Sequence, residues 1–325
     1  MKRLLLLLLP AAAFYVLWAV RSPYAGFGKE TYVDIPKGAG SRRIASLLRQ
    51  AGVIRSEWAF LAARVFKRGR GLQAGEYAFT RPASVLEVYD RIARGDVFYY
   101  ELVVPEGKNM FDIGEMAQEL RLFPAGRFVA AARNPAMIRD LDPRAPTLEG
   151  YLFPNTYRLS RHTTPERLCQ IMTGKFREVW RSLKTEAEPH HTVTLASLVE
   201  KESKLPAERP RIAAVFLKRL QIGMKLDCDP TVIYAALLEG RYRGPIHKSD
   251  LESDHPYNTY RHAGLPPGPI ANPGLASIQA VLQPASGDAL YFVLKPDGSG
   301  GHTFSSNMAE QEAAVARYRR GLHHK

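Results

Sequence analysis

The residue in this chain of 325 whose surroundings most suggest a reagent is Glu202. It lies in LASLVEKES, residues 195–203. Read as a helix, this segment puts Leu195, Leu198 and Val199 on one apolar stripe, and Glu202 falls on the same stripe. Glu200 sits at the border beside Ala196, and Lys201 points away. A carboxylate turned inward is costly unless it is paired or protonated. Partial burial raises its pKa toward the range in which it donates a proton near neutral pH, as a glycosidic oxygen requires when its bond breaks. On pattern alone a structural Glu202, salt-bridged to Arg209 or Arg211, is an equal reading.

Other polar groups stand among aromatic rings. Glu149 is followed by Tyr151, Phe153, Asn155 and Tyr157. Aromatic faces beside a carboxylate suit a carbohydrate cleft, although the packing of a turn accounts for the same residues. Asp229, with Pro230 at the first helical position, is placed to cap a helix containing Val232, Ile233 and Leu237; contact with substrate is its second reading. Residues 253–270 carry Pro256, Tyr257, Asn258, Thr259, Tyr260, Pro266, Pro267 and Pro269. This proline-stiffened loop can present Asn258 and the tyrosines to N-acetyl and hydroxyl groups. The histidines and aspartates form no HExxH or other compact metal signature, and no Gly-x-Ser-x-Gly elbow or phosphate-binding loop occurs. Neither a metal nor a cofactor is expected.

Several elements must position these groups. A strand at Tyr32–Ile35 leads through Pro36, Lys37 and Gly38 to a helix capped by Ser41 and stopped by Gly52. A second helix covers Glu57–Phe66. Ser84 and Glu87 form a capping box for a helix that ends before Gly95. Leu102–Val104, Pro105–Gly107 and a capping box of Asp112 with Glu115 echo the first strand-turn-helix unit. Residues 135–156 read as loop. Thr164 and Pro165 open a helix running toward Leu183, Pro210 introduces a helix over Arg211–Leu220, and another spans Leu275–Leu282. A hairpin of Leu290–Leu294 with His302–Phe304 and a last helix complete a mixed α+β chain.

Lys2 and Arg3 precede an apolar run from Leu4 to Val20 that contains no charge and ends at Arg21. This reads as a single-pass anchor with a cytoplasmic N-terminus; a cleaved signal peptide and a buried soluble helix are the rivals. The lipid bilayer is thus a partner. The net charge of +13 is scattered, apart from Arg64, Lys67, Arg68 and Arg70. With an export signal it fits an anionic lipid or wall surface, and nucleic acid is not expected as a partner. Cys169 and Cys228 are the two cysteines; they read as a pair in an oxidising compartment or as separate buried thiols.

The segments LEGYLFPNTY, LASLVEKES, AAVFLKRL, DPTVIY, PYNTY and GLPPGPIANPG, in this order, make the chain resemble the MltG/YceG-like family of endolytic murein transglycosylases. The resemblance implies a cytoplasmic tip and transmembrane anchor at 1–21, a tether at 22–29, a LysM-like small α/β module at 30–104 and a mixed α+β catalytic region at 105–325. It maps the catalytic glutamate onto Glu202, directly before Ser203, with Glu200 as the alternative. It also makes Glu149, Asp229, Tyr257, Asn258 and Thr259 substrate-binding residues of the cleft. The implied reaction cleaves the β-1,4 bond between N-acetylmuramic acid and N-acetylglucosamine in nascent peptidoglycan outside the cytoplasmic membrane. It leaves 1,6-anhydro-muramic ends and releases or terminates growing strands. Peptidoglycan synthases are the implied protein partners. Three places depart from the family pattern: Lys218 replaces a common Asn, Asp227 and Cys228 replace a Gln and a small polar residue, and Gln311 replaces a His. The last change argues against a proton-transfer role for the final helix. A muramidase, which would use a second carboxylate such as Glu149, Glu200 or Asp229, and a non-enzymatic wall-binding scaffold are the competing readings.

Overall fold

The computed structural model describes residues 14–67 and 71–322. It is mixed α+β and divides into two compact units, one of residues 1–100 with 158–161 and one of residues 101–157 with 162–325.

In the first unit, α1 (residues 14–21) is followed by β1 (Thr31–Ile35), α2 (Ser41–Gln50), α3 (Glu57–Phe66), β2 (Gly75–Phe79) and α4 (Val85–Arg94). β1 and β2 pair antiparallel, from Thr31 opposite Phe79 to Ile35 opposite Gly75. Val33 and Ile35 turn inward, and Ile44, Leu48, Phe60, Tyr77, Tyr89 and Ile92 close the core over them. The Ser84–Glu87 capping box forms as expected, with Glu87 N donating to Ser84 Oγ at 3.2 Å and Ser84 N to Glu87 Oε2 at 2.7 Å. Ser41 does not cap α2. Gly40 occupies that position, and the Ser41 hydroxyl accepts from Arg64 instead. Nothing in the sequence singled out β2, because four of its five residues are buried and the strand lacks the alternation that marks a half-buried one.

Most of the apolar run expected to anchor the chain lies in residues 1–13, outside the described residues. Among the described residues no helix is long and apolar enough to cross a membrane. The stretch read as a tether is bonded to the first unit: Tyr24 forms a β-bridge with Ala83, and Gly26 N donates to Gly52 O at 2.8 Å.

The second unit contains α5 (Met110–Glu119) and α6 (Ala125–Ala132), preceded by β3 (Tyr100–Val104) and followed by β4 (Asn155–Leu159), with which β3 pairs. Then come α7 (Pro165–Ser182), α8 (Pro189–Glu202), α9 (Arg209–Gln221), α10 (Asp229–Leu238) and α11 (Lys248–Glu252). The chain ends with α12 (Leu275–Leu282), the antiparallel hairpin β5 (Tyr291–Leu294) and β6 (His302–Ser305), and α13 (Met308–Leu322). α5 starts a turn earlier than its sequence signal suggested. Asn109 is its cap, accepting from Phe111 N at 2.9 Å and Asp112 N at 3.0 Å, and Asp112 rather than Glu115 closes the box.

α8 is the axis of this unit, packed by α9, α10 and α12. Every residue from Thr192 to Val199 is buried. The single apolar stripe inferred from LASLVEKES therefore understates its enclosure: Ser197 fits inside by donating to Thr194 O at 2.7 Å and accepting from Ile270 N at 3.1 Å. Glu188 caps the helix at His190 and His191, so α8 begins well before Leu195.

Candidate functional site

Because α8 ends at Glu202, that carboxylate emerges where the buried helix meets a cavity. The cavity, about 270 Å³, is lined by Glu202, Phe216, Arg219, Leu226, Asp227, Asp229, Pro230, Tyr260 and Phe292. Glu202 Oε1 accepts from Cys228 Sγ at 3.1 Å. Burial raises the Glu202 pKa; the thiol bond, His302 and Arg219 oppose the shift, and the nearby Asp229 charge reinforces it. Burial and the adjoining Glu202 carboxyl push the Cys228 thiol well above its usual range, which keeps its proton in place to be donated. Among the described residues no cation forms an ion pair with Glu202.

Glu200, two residues earlier, has a different environment. Its Oε1 meets Arg209 Nη2 at 2.8 Å, while Oε2 accepts from Gly274 N at 3.0 Å and Ser277 Oγ at 2.7 Å. Arg209 also reaches Glu106 at 3.3 Å. The salt bridge weighed for Glu202 thus belongs to Glu200, which ties α8 to α9 and to the start of α12. A carboxylate with its lone pairs occupied in this way is an architectural node.

The residues around the cavity are held from two sides. Asp229 is the first residue of α10 rather than its cap, a position taken by Cys228. Its Oδ1 accepts from Tyr260 OH at 2.6 Å, and burial together with that carboxylate raises the Tyr260 pKa. Thr259 Oγ1 accepts from Cys228 N at 3.0 Å and pairs with Thr231 Oγ1 at 2.9 Å, fixing the backbone from which the thiol reaches Glu202. Arg219 spends its guanidinium on the carbonyls of Leu290 at 2.7 Å, Leu226 at 2.9 Å and Lys225 at 3.2 Å. Asp227 adopts a left-handed backbone, with φ 49°. Such a conformation is uncommon for a residue other than glycine and turns the chain sharply at the cavity wall.

Glu149 and Asn258 are enclosed away from the cavity lining. Glu149 accepts from Met110 N at 2.9 Å, Tyr234 OH at 3.1 Å and Asn272 Nδ2 at 2.7 Å. Burial pushes its carboxyl up to about 8, against the pull of these donors. Asn272 Oδ1 in turn accepts from Gly150 N at 2.8 Å and Leu152 N at 2.9 Å. Asn258 Nδ2 donates to Leu251 O at 3.0 Å and Ser253 O at 2.6 Å. Tyr257 packs against Tyr234, ring centroids 5.2 Å apart. Of the residues expected in a cleft, the structure places Asp229 in the lining of the cavity that Glu202 opens on and links Thr259 to Glu202 through Cys228, while Glu149, Tyr257 and Asn258 shape the surrounding loops.

Sequence reasoning gave no role at the site to Phe216, Arg219, Leu226, Cys228 or Phe292. The signal for Cys228 was its departure from the family pattern immediately before Asp229. For Arg219 it was a cation in AAVFLKRL with no acidic partner one helical turn away. Cys169 and Cys228 are separate buried thiols. Among the described residues, no group of three or more His, Cys, Asp and Glu side chains is arranged to hold a metal.

The profile of the YceG-like family matches residues 33–317. The chain belongs to the YceG-like family. Over 307 residues it is 33% identical to the endolytic murein transglycosylase of Bacillus subtilis (strain 168), covering 88% of this chain and 84% of that protein. The endolytic murein transglycosylase of Streptococcus pneumoniae serotype 2 is 28% identical over 332 residues; the match takes in 91% of this chain and 59% of that longer protein. A YceG-like protein of Listeria monocytogenes, known from its crystal structure, superposes with a TM-score of 0.55 at 30% identity, over 88% of this chain and 99% of that one. The family match spans α8, the cavity and the loops that frame it.

Proposed function

We propose that this protein is an endolytic lytic transglycosylase that cleaves peptidoglycan glycan strands, with Glu202 as its single acid and base. The observation that carries this reading is the division of labour between two neighbouring carboxylates. Glu200 is consumed by Arg209, Gly274 and Ser277, whereas Glu202 opens on a cavity with one thiol donor and a raised pKa. Relatives named endolytic murein transglycosylases support the substrate class.

In the first step Glu202, protonated, gives its proton to the glycosidic oxygen as the bond to the muramic acid C1 breaks. The Cys228 thiol holds Oε1 as an acceptor, leaving Oε2 to carry that proton. Positive charge that develops on the sugar ring faces Asp229, whose carboxylate is oriented by Tyr260. In the second step Glu202, now ionised, takes the proton of the C6 hydroxyl while that oxygen bonds to C1. The 1,6-anhydro ring closes and Glu202 is again protonated. Because the nucleophile belongs to the substrate, no water need be activated. Asp229 is the residue proposed to touch glycan. Thr259 acts through Cys228, and Glu149, Tyr257 and Asn258 act by holding the loops. The β-α-α-β order of the first unit supports a LysM-like module, and the apolar run at 4–20 supports an anchor in the cytoplasmic membrane with the catalytic region outside.

The test is mass analysis of products from uncrosslinked peptidoglycan, with the intact chain and Glu202→Gln. Anhydro-muramic products that disappear in the variant are expected, with a loss of at least about 100-fold in rate from removing the acid. Reducing muramic ends would assign hydrolysis, with Asp229 the second carboxylate in the cavity. Undiminished cleavage by the variant would remove Glu202 from the mechanism.

A further inference from the structure

α3 breaks the pattern of its unit. Its sequence, EWAFLAARVF, is polar only at Glu57 and Arg64. Helices apolar around their whole circumference are normally enclosed. Here Ala59, Phe60 and Ala63 enter the core, while Trp58 and Val65 are each 79% exposed and Phe66 is 57% exposed. Trp58 and Val65, seven residues apart, share one face. Neighbouring α2 instead turns Arg42, Arg43, Arg49 and Gln50 to solvent. An outward apolar stripe on one helix of an otherwise polar surface marks an interaction face.

α1 indicates what covers it. Val20, the last residue of the apolar run, is buried in the same core as Ala59, Phe60 and Ala63. Arg55, just before α3, places its guanidinium over the rings of Trp18 at 5.4 Å and Tyr24 at 4.9 Å. The Tyr24–Ala83 bridge leaves no slack after α1. Wherever the apolar run enters lipid, the first unit and α3 are held beside it. Exposed Tyr15 and Trp18 with Arg55 have the composition of a bilayer–water boundary. Cations accompany the stripe as well: Arg64, exposed on α3 itself, reaches the Ser41 hydroxyl, and Arg42 and Arg43, the next residues of the neighbouring α2, are exposed. Glu57, the one acid of α3, is paired with Arg49 at 3.5 Å.

We infer that the outer face of α3, formed by Trp58, Val65 and Phe66, lies in the headgroup layer of an anionic bilayer beside the N-terminal apolar run. The inference rests on reading residues 4–20 as the membrane anchor. Apolar side chains enter the acyl boundary and the arginines meet lipid phosphates, so the first unit is fixed in orientation on the membrane.

The experiment places the intact chain in phosphatidylcholine–phosphatidylglycerol vesicles containing lipids brominated near the headgroup end of their acyl chains. The three tryptophans are Trp18, Trp58 and Trp180, and subtracting Trp58→Phe from the parent isolates the Trp58 emission. That emission should be blue-shifted and largely quenched by brominated lipid, with weaker quenching when phosphatidylglycerol is omitted. Trp18→Phe, treated in the same way, and resistance to alkaline carbonate extraction report the anchor separately. A carbonate-resistant chain with quenched Trp18 and unquenched Trp58 overturns the docking face while leaving the anchor intact, and would assign the stripe to a protein partner. Quenched Trp58 in a carbonate-extractable chain supports the face and overturns the anchor. A chain that fails to sediment with vesicles overturns both.

Discussion

At the residue scale the site turns on a thiol and a carboxyl that share one proton-bearing contact. Cys228 donates to Glu202 Oε1 at 3.1 Å, and a donor to a carboxylate favours its ionised form. A thiol is a weak donor, so the bond lowers the Glu202 pKa modestly against the rise that burial causes. Glu202 must be protonated to act first, so activity falls as pH rises through its pKa. Removing the donor raises that pKa, and the alkaline limb of the kcat profile in Cys228→Ala should move to higher pH. Cys228→Ser should restore the limb to its parental position or below. A purely packing role for Cys228 would lower activity without moving the limb, which a pH series on the three proteins distinguishes. The Glu202–Glu200 ambiguity was only half legible in sequence. Helical phase put Glu202 inward, but which carboxylate Arg209 would take depends on where α9 and α12 pack. That information lies nine and more than seventy residues away along the chain.

At the element scale, the legible features were those with local causes. The Ser84 capping box, the Thr164–Pro165 helix start and the span of α3 each follow from residues a turn apart. The features that escaped have distant causes. β2 is defined by its pairing with β1 across α2 and α3, and β4 lies at the edge of a proline-rich stretch read as loop. Glu149 was read as part of a cleft because a carboxylate among aromatic rings suits sugars, yet with Gly150 and Asn272 it forms a joint. Asn272 joins Lys108, Glu149, Gly150 and Leu152 by side-chain bonds. Gly150 has φ +87°, and a Cβ there would meet Pro269 Cγ at 2.4 Å. Asn272→Ala leaves buried donors and acceptors unpaired and should destabilise the second unit by about 2–4 kcal/mol. Gly150→Ala should cost a similar amount, about 2–4 kcal/mol, through backbone strain and overlap. Denaturant unfolding of the two variants measures both, and a change below about 0.5 kcal/mol in either would show that the joint relaxes freely.

At the scale of the whole molecule, that same joint makes stability depend on pH. Glu149 has an ordinary carboxyl pKa near 4.5 when exposed and about 8 in the fold. Between these values the folded chain holds a proton that the unfolded chain has released. The contribution is therefore fully present below 4.5 and is lost as pH rises toward 8. The full span is worth a few kcal/mol at most, by roughly 1.36 kcal/mol per pH unit. Glu149 belongs to the larger unit, whose core is separate from that built on β1 and β2. Calorimetry of the intact chain from about pH 5 to about pH 8 should show the transition of the larger unit moving to lower temperature as pH rises, by several degrees. Glu149→Gln carries no proton to lose, so its transition should shift much less over the same range. If parent and variant fall in parallel, the pH dependence originates elsewhere and Glu149 is ionised in the fold, held by Met110, Tyr234 and Asn272 as an anion with three donors.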